Sequence, residues 1–204
     1  MHSPPDFELI RTRLSLLELL KSFFAREPDG ELIASWRGAL LILRDESGFP
    51  GLAAHALDLI LLLQELDLNA IKEEFHELFI DPFSESYVNT NTCYYIDGNN
   101  FGESFLRLRE IMARAMIEKG PDAVGSEDEL PIVLDTYQQL IEREKKTPEP
   151  GKIKGLQKAL LKEILQPFSI AFSKSLAGNT RARFYESCAH LLREGLILEE
   201  MLFL

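Results

Sequence analysis

The chain reads as a single all-α domain spanning residues 1–204, a bundle of about eight helices. Three observations predict this. Apolar residues recur at the 3.6-residue period along almost the whole length. No stretch shows the β-branched alternation that strands need. The periodic segments are separated by Pro, Gly, Asp and Asn punctuation, with irregular loops expected near 80–100, 120–128 and 146–151. A chain of 204 residues can bury a substantial core, and no internal repeat divides it.

The first helix is expected from Asp6 to Arg26, with Leu9, Ile10, Leu14, Leu16, Leu17, Leu20, Phe23 and Phe24 forming a broad stripe. Pro4 and Pro5 precede it and Asp6 suits an N-cap. Pro28-Asp29-Gly30 ends it, and a second helix carrying Trp36, Leu40, Leu41 and Leu43 runs to about Arg44. After Gly48-Phe49-Pro50-Gly51, the segment Leu52 to Leu66 is apolar nearly all round, which predicts a central buried helix. Asp67 and Asn69 supply a cap before Ile71, Phe75, Leu78 and Phe79, spaced i, i+4, i+7 and i+8.

Residues 80–100 lose the period, and a loop of that length is commonly functional. Phe101, Phe105, Leu108, Met112, Ala115 and Met116 restore it until Gly120-Pro121. The next helix is expected from Glu129 to Lys145, with Val133, Tyr137, Leu140 and Ile141 inward. Beyond the break at Thr147–Gly151, residues 152–176 read as helix that Pro167 should kink or split. The last helix, Thr180 to about Met201, buries Phe184, Cys188, Leu191 and Leu192.

Composition narrows function. The formal net charge is −11, and residues 65–144 hold 18 Asp and Glu against 6 Lys and Arg, so the whole negative excess lies there. Such a field repels nucleic acid and attracts cationic partners, although an acidic face also serves solubility alone. Two cysteines, Cys93 and Cys188, form no C-x-x-C pair and suit a reducing compartment. No segment approaches the ~20 apolar residues of a membrane span, and no secretory leader is visible, which predicts a cytoplasmic protein. His2, His55, His76 and His190 lie far apart in sequence, with no metal-ligand spacing. There is no nucleophile elbow and no glycine-rich phosphate loop. The sequence therefore predicts a non-enzyme with no metal site and no cofactor.

Three signals remain. They are Phe75-x-x-Leu78-Phe79-x-Asp81, then Tyr94-Tyr95-Ile96-Asp97-Gly98, then Glu127-Asp128-Glu129-Leu130-Pro131 leading to Asp135 and Tyr137. Aromatic walls, a glycine bend and carboxylates at a helix start are the chemistry of gripping a basic, partly apolar peptide. On this reading Asp81, Asp97, Asp128, Glu129 and Asp135 meet cationic groups, while Phe75, Leu78, Phe79, Tyr94, Tyr95, Leu130 and Pro131 accept apolar ones. Each signal also has a plain structural explanation. A helical aromatic stripe is ordinary core, paired tyrosines can pin a loop, and acidic residues with proline suit a helix N-terminus.

The ordered set resembles the NarJ-type nitrate reductase assembly chaperones of the TorD/DmsD superfamily of redox-enzyme maturation proteins. Leu165-Gln166-Pro167-Phe168 with Phe172, and later Phe184-Tyr185, are similar to that superfamily's C-terminal helices. The chain departs from the family pattern at Ile132-Val133 after Glu129-Leu130-Pro131, and at Phe101-Gly102. The resemblance implies a cytoplasmic, non-catalytic helical chaperone. Its partner would be the N-terminal or twin-arginine signal segment of a molybdopterin oxidoreductase catalytic subunit, held during molybdenum-cofactor insertion, before export or docking. It also implies a monomer or a domain-swapped dimer, with residues 118–128 as the hinge. A helical adaptor without a molybdoenzyme client is the alternative that the residues alone leave open.

Overall fold

In the computed structural model, which describes residues 4–46, 48–120 and 125–203, the helix boundaries follow capping chemistry. Helix α1 spans Pro4–Ala25 and starts two residues ahead of Asp6, because its first turn accommodates both prolines; Asp6 lies inside it and not at its cap. The Asp29 carboxylate accepts the Leu32 N–H at 2.8 Å and opens α2, Gly30–Glu46. Helix α3, Pro50–Glu65, begins on its proline. Asp67 accepts the Ala70 N–H at 2.9 Å and opens α4, Leu68–Phe75, as expected.

Helix α4 then widens into a single π turn, His76–Ile80, closed by the Asp81 N–H on the His76 carbonyl at 2.9 Å. One helical turn, α5, spans Tyr94–Asp97, inside the segment expected to be irregular. There follow α6 (Glu103–Ala115), α7 (Leu130–Lys146) and α8 (Pro150–Leu160). A second π turn, Leu161–Leu165, carries α8 into α9 (Gln166–Ala177), and α10 runs from Phe184 to Met201. Both π turns end two residues before a proline, Pro82 and Pro167. Pro82 lies beyond the helix end, after Asp81 has turned to extended backbone. Pro167, by contrast, sits inside continuing helix, where it cannot donate a backbone hydrogen bond and its ring crowds the carbonyl four residues back, a conflict that the wider turn relieves. The disturbance expected at Pro167 takes this form. Among the described residues there is no strand, only an isolated bridge between Asn91 and Glu129. The fold class is all-α.

Helix α10 is the centre of the bundle and packs against α1, α3, α4 and α9. It approaches α1 closely at Gly195, where an added Cβ would sit 2.8 Å from Leu20 Cδ1. Trp36, Phe23 and Phe184 form an aromatic knot, with Trp36 stacked on Phe184 at 5.6 Å and its indole N–H donated to Ser22 Oγ at 2.8 Å. Helix α3 is not central. It buries Leu52, Ala56, Leu59, Ile60 and Leu63 but leaves Leu57 and Leu61 exposed, so its all-round hydrophobicity overstated its burial. A buried polar tie joins α1, α7 and α10: Arg13 meets Glu199 at 2.7 Å, and the Tyr137 hydroxyl donates to Glu199 at 3.0 Å. Both cysteines are buried and free. No helix of the described residues is long and apolar enough to cross a membrane. The expected hinge at 118–128 includes residues 121–124, which lie outside the described residues.

Candidate functional site

The three signals are joined by one short stretch of backbone. Val88 donates its N–H to the Leu78 carbonyl at 2.7 Å. Leu130 donates to Thr90 at 3.0 Å, and Thr92 donates to Asp128 at 2.7 Å. Residues 88–92 are thus stitched on one side to the π turn after α4 and on the other to the start of α7. Fixed backbone of this kind presents a preformed surface, because little conformational freedom is left to lose on binding.

Several residues expected at that surface belong instead to its frame. Phe75, Leu78 and Leu130 are buried, and Asp128 is only 1% exposed. Phe79 is half-buried, with its ring centroid 5.3 Å from Phe75 and 5.1 Å from Tyr185. Pro131 is half-buried in the first turn of α7. The carboxylates are similarly occupied. Asp128 accepts from Ser126 Oγ and from Asn91 Nδ2, the latter at 3.0 Å, and latches the loop to α7. Asp97 accepts from the backbone N–H and hydroxyl of Ser104 and caps α6 from outside it. Glu129 accepts the Ser126 N–H at 3.2 Å and Asp81 accepts the Phe83 N–H at 2.9 Å. Asp135 faces α1, where Lys21 meets it at 3.1 Å. The residue types are those of a loop-to-helix junction, and the fold uses most of them to build one.

Tyr94 and Tyr95 are different. Together with the segment 85–89 and the end of α9 they wall an open cleft of about 650 Å³. Tyr95 is locked: its ring meets Phe168 at 5.4 Å and Phe172 at 6.0 Å, and its hydroxyl lies 3.3 Å from Ser175 Oγ. Burial pushes its phenol above the ordinary pKa, the hydrogen bond with Ser175 opposes that, and the nearby phenols of Tyr94 and Tyr87 add to the rise. Tyr94 stands perpendicular to it at 5.6 Å and remains 41% exposed. The far wall is pinned by Asn179, whose Nδ2 donates to the Ser86 carbonyl at 2.7 Å.

Glu85, Tyr87, Ser175 and Asn179 line this cleft and were not among the residues expected from sequence. Tyr87 lies in an aperiodic loop, and the α9 terminus is distant in the chain. The one available signal was a second exposed-type aromatic seven residues before Tyr94. Beside the cleft, Phe83 is 93% exposed on a turn held by Asp81 and Ser84.

The fold brings His55 and His190 together, with ring centroids 5.5 Å apart. Even so, no group of three or more His, Cys, Asp or Glu among the described residues could hold a metal ion. The cleft contains no nucleophile–base pair. Its arrangement can bind and orient a chain.

The family model for the nitrate reductase delta subunit matches residues 46–174, a span that contains all three signals and both π turns. No curated protein matches the chain. A match over more than half the sequence, on an all-α bundle that carries the family's ordered motifs, places this chain in the nitrate reductase delta subunit family, a family of chaperones for molybdoenzyme maturation.

Proposed function

We propose that this protein is a cytoplasmic assembly chaperone that captures the N-terminal segment of a molybdoenzyme catalytic subunit and holds it while the molybdenum cofactor is inserted. The observation that carries this reading is the tyrosine-walled cleft, set in the acidic part of a chain that the family match identifies as a chaperone. Tyrosine offers flat contact area at low entropic expense, with a polar tip for backbone groups. The acidic segment favours a basic peptide and speeds its encounter. Tyr94 and Tyr95 contact the peptide. Phe75, Leu78, Phe79, Asp81, Asp97, Asp128, Glu129, Leu130 and Pro131 act through the junction that positions the tyrosines, and Asp135, which faces α1, contributes through the acidic field of the segment.

Calorimetric titration with overlapping peptides from the N-termini of the molybdoenzyme catalytic subunits encoded in the same genome tests the reading. One peptide is expected to bind in the micromolar range, more weakly at high salt, and about tenfold more weakly to Tyr94→Ala. Failure of every peptide to bind the wild-type protein would overturn it.

A further inference from the structure

We infer that the cleft beside Tyr94 is a cation subsite, in which Glu85 is the counter-charge for one guanidinium or ammonium side chain lying against the tyrosine rings. The inference rests on the peptide-capture reading for the source of that side chain, though the chemistry of the subsite stands on the cleft itself.

The first argument is the charge of the lining. Of the residues that line the cleft, Glu85 alone is charged, and no Lys, Arg or His is among them. The remaining polar groups are phenols, a serine and a threonine hydroxyl, side-chain amides and backbone. A ligand bearing phosphate would meet a carboxylate and phenol oxygens with no cation to balance it. The phenols, hydroxyls and amides serve donors and acceptors alike, so the Glu85 carboxylate decides, and it favours a positively charged ligand with N–H donors. Arginine, with five donors and a permanent charge, fits that inventory best.

The second argument is availability. The neighbouring acids are engaged within the fold: Glu77 pairs with Arg181 at 2.9 Å, Asp81 accepts the Phe83 N–H, Asp97 caps α6, Asp128 latches the loop and Asp135 pairs with Lys21. Glu85 makes no hydrogen bond or ion pair with any described residue. It is exposed, yet the backbone on its C-terminal side is held in place through the Ser86 carbonyl and the Val88 N–H. A fixed main chain with a free carboxylate is a prepared counter-charge, since only the side chain is left to order on binding.

The third argument is the aromatic wall. Tyr95 is clamped by Phe168, Phe172 and Ser175 and cannot swing into the space. Tyr94, perpendicular to it, keeps ring surface open to the cleft, and Tyr87 is 43% exposed on the opposite wall. A cation over such rings gains attraction from the ring quadrupole, and a carboxylate alongside strengthens its hold. This assigns a specificity-determining role to Glu85, a residue outside all three sequence signals. It also separates this cleft from any seat for a phosphate-bearing cofactor.

The experiment uses the full chain and N-acetyl-arginine methylamide as probe, with the neutral citrulline analogue and inorganic pyrophosphate as comparisons. Tyrosine ring resonances, assigned by Tyr94→Phe and Tyr87→Phe, are followed by NMR. The arginine probe is expected to shift the Tyr94 and Tyr87 signals saturably in roughly the millimolar range. Citrulline, or the arginine probe on Glu85→Gln, should bind about five- to tenfold more weakly, and pyrophosphate should not shift these signals. Glu85 is exposed and unpaired, so Glu85→Gln should fold as wild type, which circular dichroism verifies. Equal response to arginine and citrulline, or an unaffected Glu85→Gln, would overturn the subsite. The two readings fail separately. If client peptides bind but Glu85→Gln costs them nothing, the subsite alone falls. If the arginine probe seats and no client peptide binds, the subsite stands and peptide capture falls.

Discussion

The carboxylate of Glu74, at 8% exposure, accepts the backbone N–H of Tyr185 at 2.8 Å. Helix α10 has Arg183 at its N-cap position and no capping side chain of its own, so α4 supplies the cap from across the bundle. Burial is the largest influence on Glu74 and raises its pKa above the 4.5 of a free glutamate. The backbone N–H groups of Tyr185, Phe184 and Arg183 oppose that rise without cancelling it.

A pH dependence follows. With the folded pKa raised, the native state keeps a proton that the unfolded chain has already released. This group's contribution to stability is therefore fully present below pH 4.5 and is lost as pH rises through the raised value. Glu74→Gln cannot titrate, so its stability relative to wild type should improve between about pH 5 and about pH 8 in urea unfolding. Glu74→Ala should lose about 1–3 kcal/mol at either pH, because the α10 N–H groups are left unpaired.

Two buried tyrosines should respond in opposite directions to loss of their hydroxyls. Tyr137 donates to Glu199, beside Arg13, whereas the Tyr185 hydroxyl has no partner among the described residues. Burial drives both phenols well above their ordinary pKa, so each stays protonated. Tyr137→Phe should destabilise by about 1–3 kcal/mol, since Glu199 loses a donor in a buried ion-pair network. Tyr185→Phe should be neutral or stabilise by up to about 1 kcal/mol. Thermal unfolding of the two variants, side by side, decides it.

Asp128 should act on the loop and not directly on a ligand. Asp128→Ala removes the acceptor for Ser126 and Asn91, and amide hydrogen exchange should quicken at Thr92 and Leu130 while distant helices are unchanged. The expected stability loss is about 1–3 kcal/mol. Unaltered exchange at those two amides would remove Asp128 from its place as latch.

Phe101 has φ of +67°, a conformation that strains a bulky residue, and is 70% exposed with its ring edge-on to Phe105 at 5.1 Å. Phe101→Gly relieves the backbone at the expense of that contact. A net gain of up to about 1 kcal/mol is expected by urea denaturation, with binding at the Tyr94 cleft unchanged.

Helical periodicity carried most of the fold. The stripes of α1, α6 and α7 and the cap at Asp67 were readable because each depends on neighbours within a turn or two, whereas Asp29 read only as the break after α1 and its capping of α2 emerged from the structure. Helix α3 was misjudged since a period cannot tell an apolar face that meets the core from one left to solvent. Asp97 and Asp128 were legible as important residues of the loops, but their partners Ser104 and Asn91 are set by chain folding and could not be read from spacing. The cleft was half legible. Tyr94 and Tyr95 announced it, while Glu85 and the end of α9 meet them only after the bundle closes.

The π turn at Leu161–Leu165 bears on how the length of this chain can vary. Leu156, Leu160, Ile164, Phe168, Phe172 and Leu176 are all buried and recur every four residues across α8 and α9. In a 3.6-residue helix each such step runs ahead by about 40°, so five would wind the stripe roughly 200° around the axis. A turn that absorbs one extra residue takes back about 100° of that drift. The two halves of the rod therefore stay in phase, and Phe168 and Phe172 reach the same side as the residues that anchor α8. A one-residue deletion inside the wide turn would convert it to ordinary helix and preserve that phase. The same deletion between Phe168 and Phe172 would swing one of the two phenylalanines about 100° off Tyr95 and weaken the backing of the tyrosine wall.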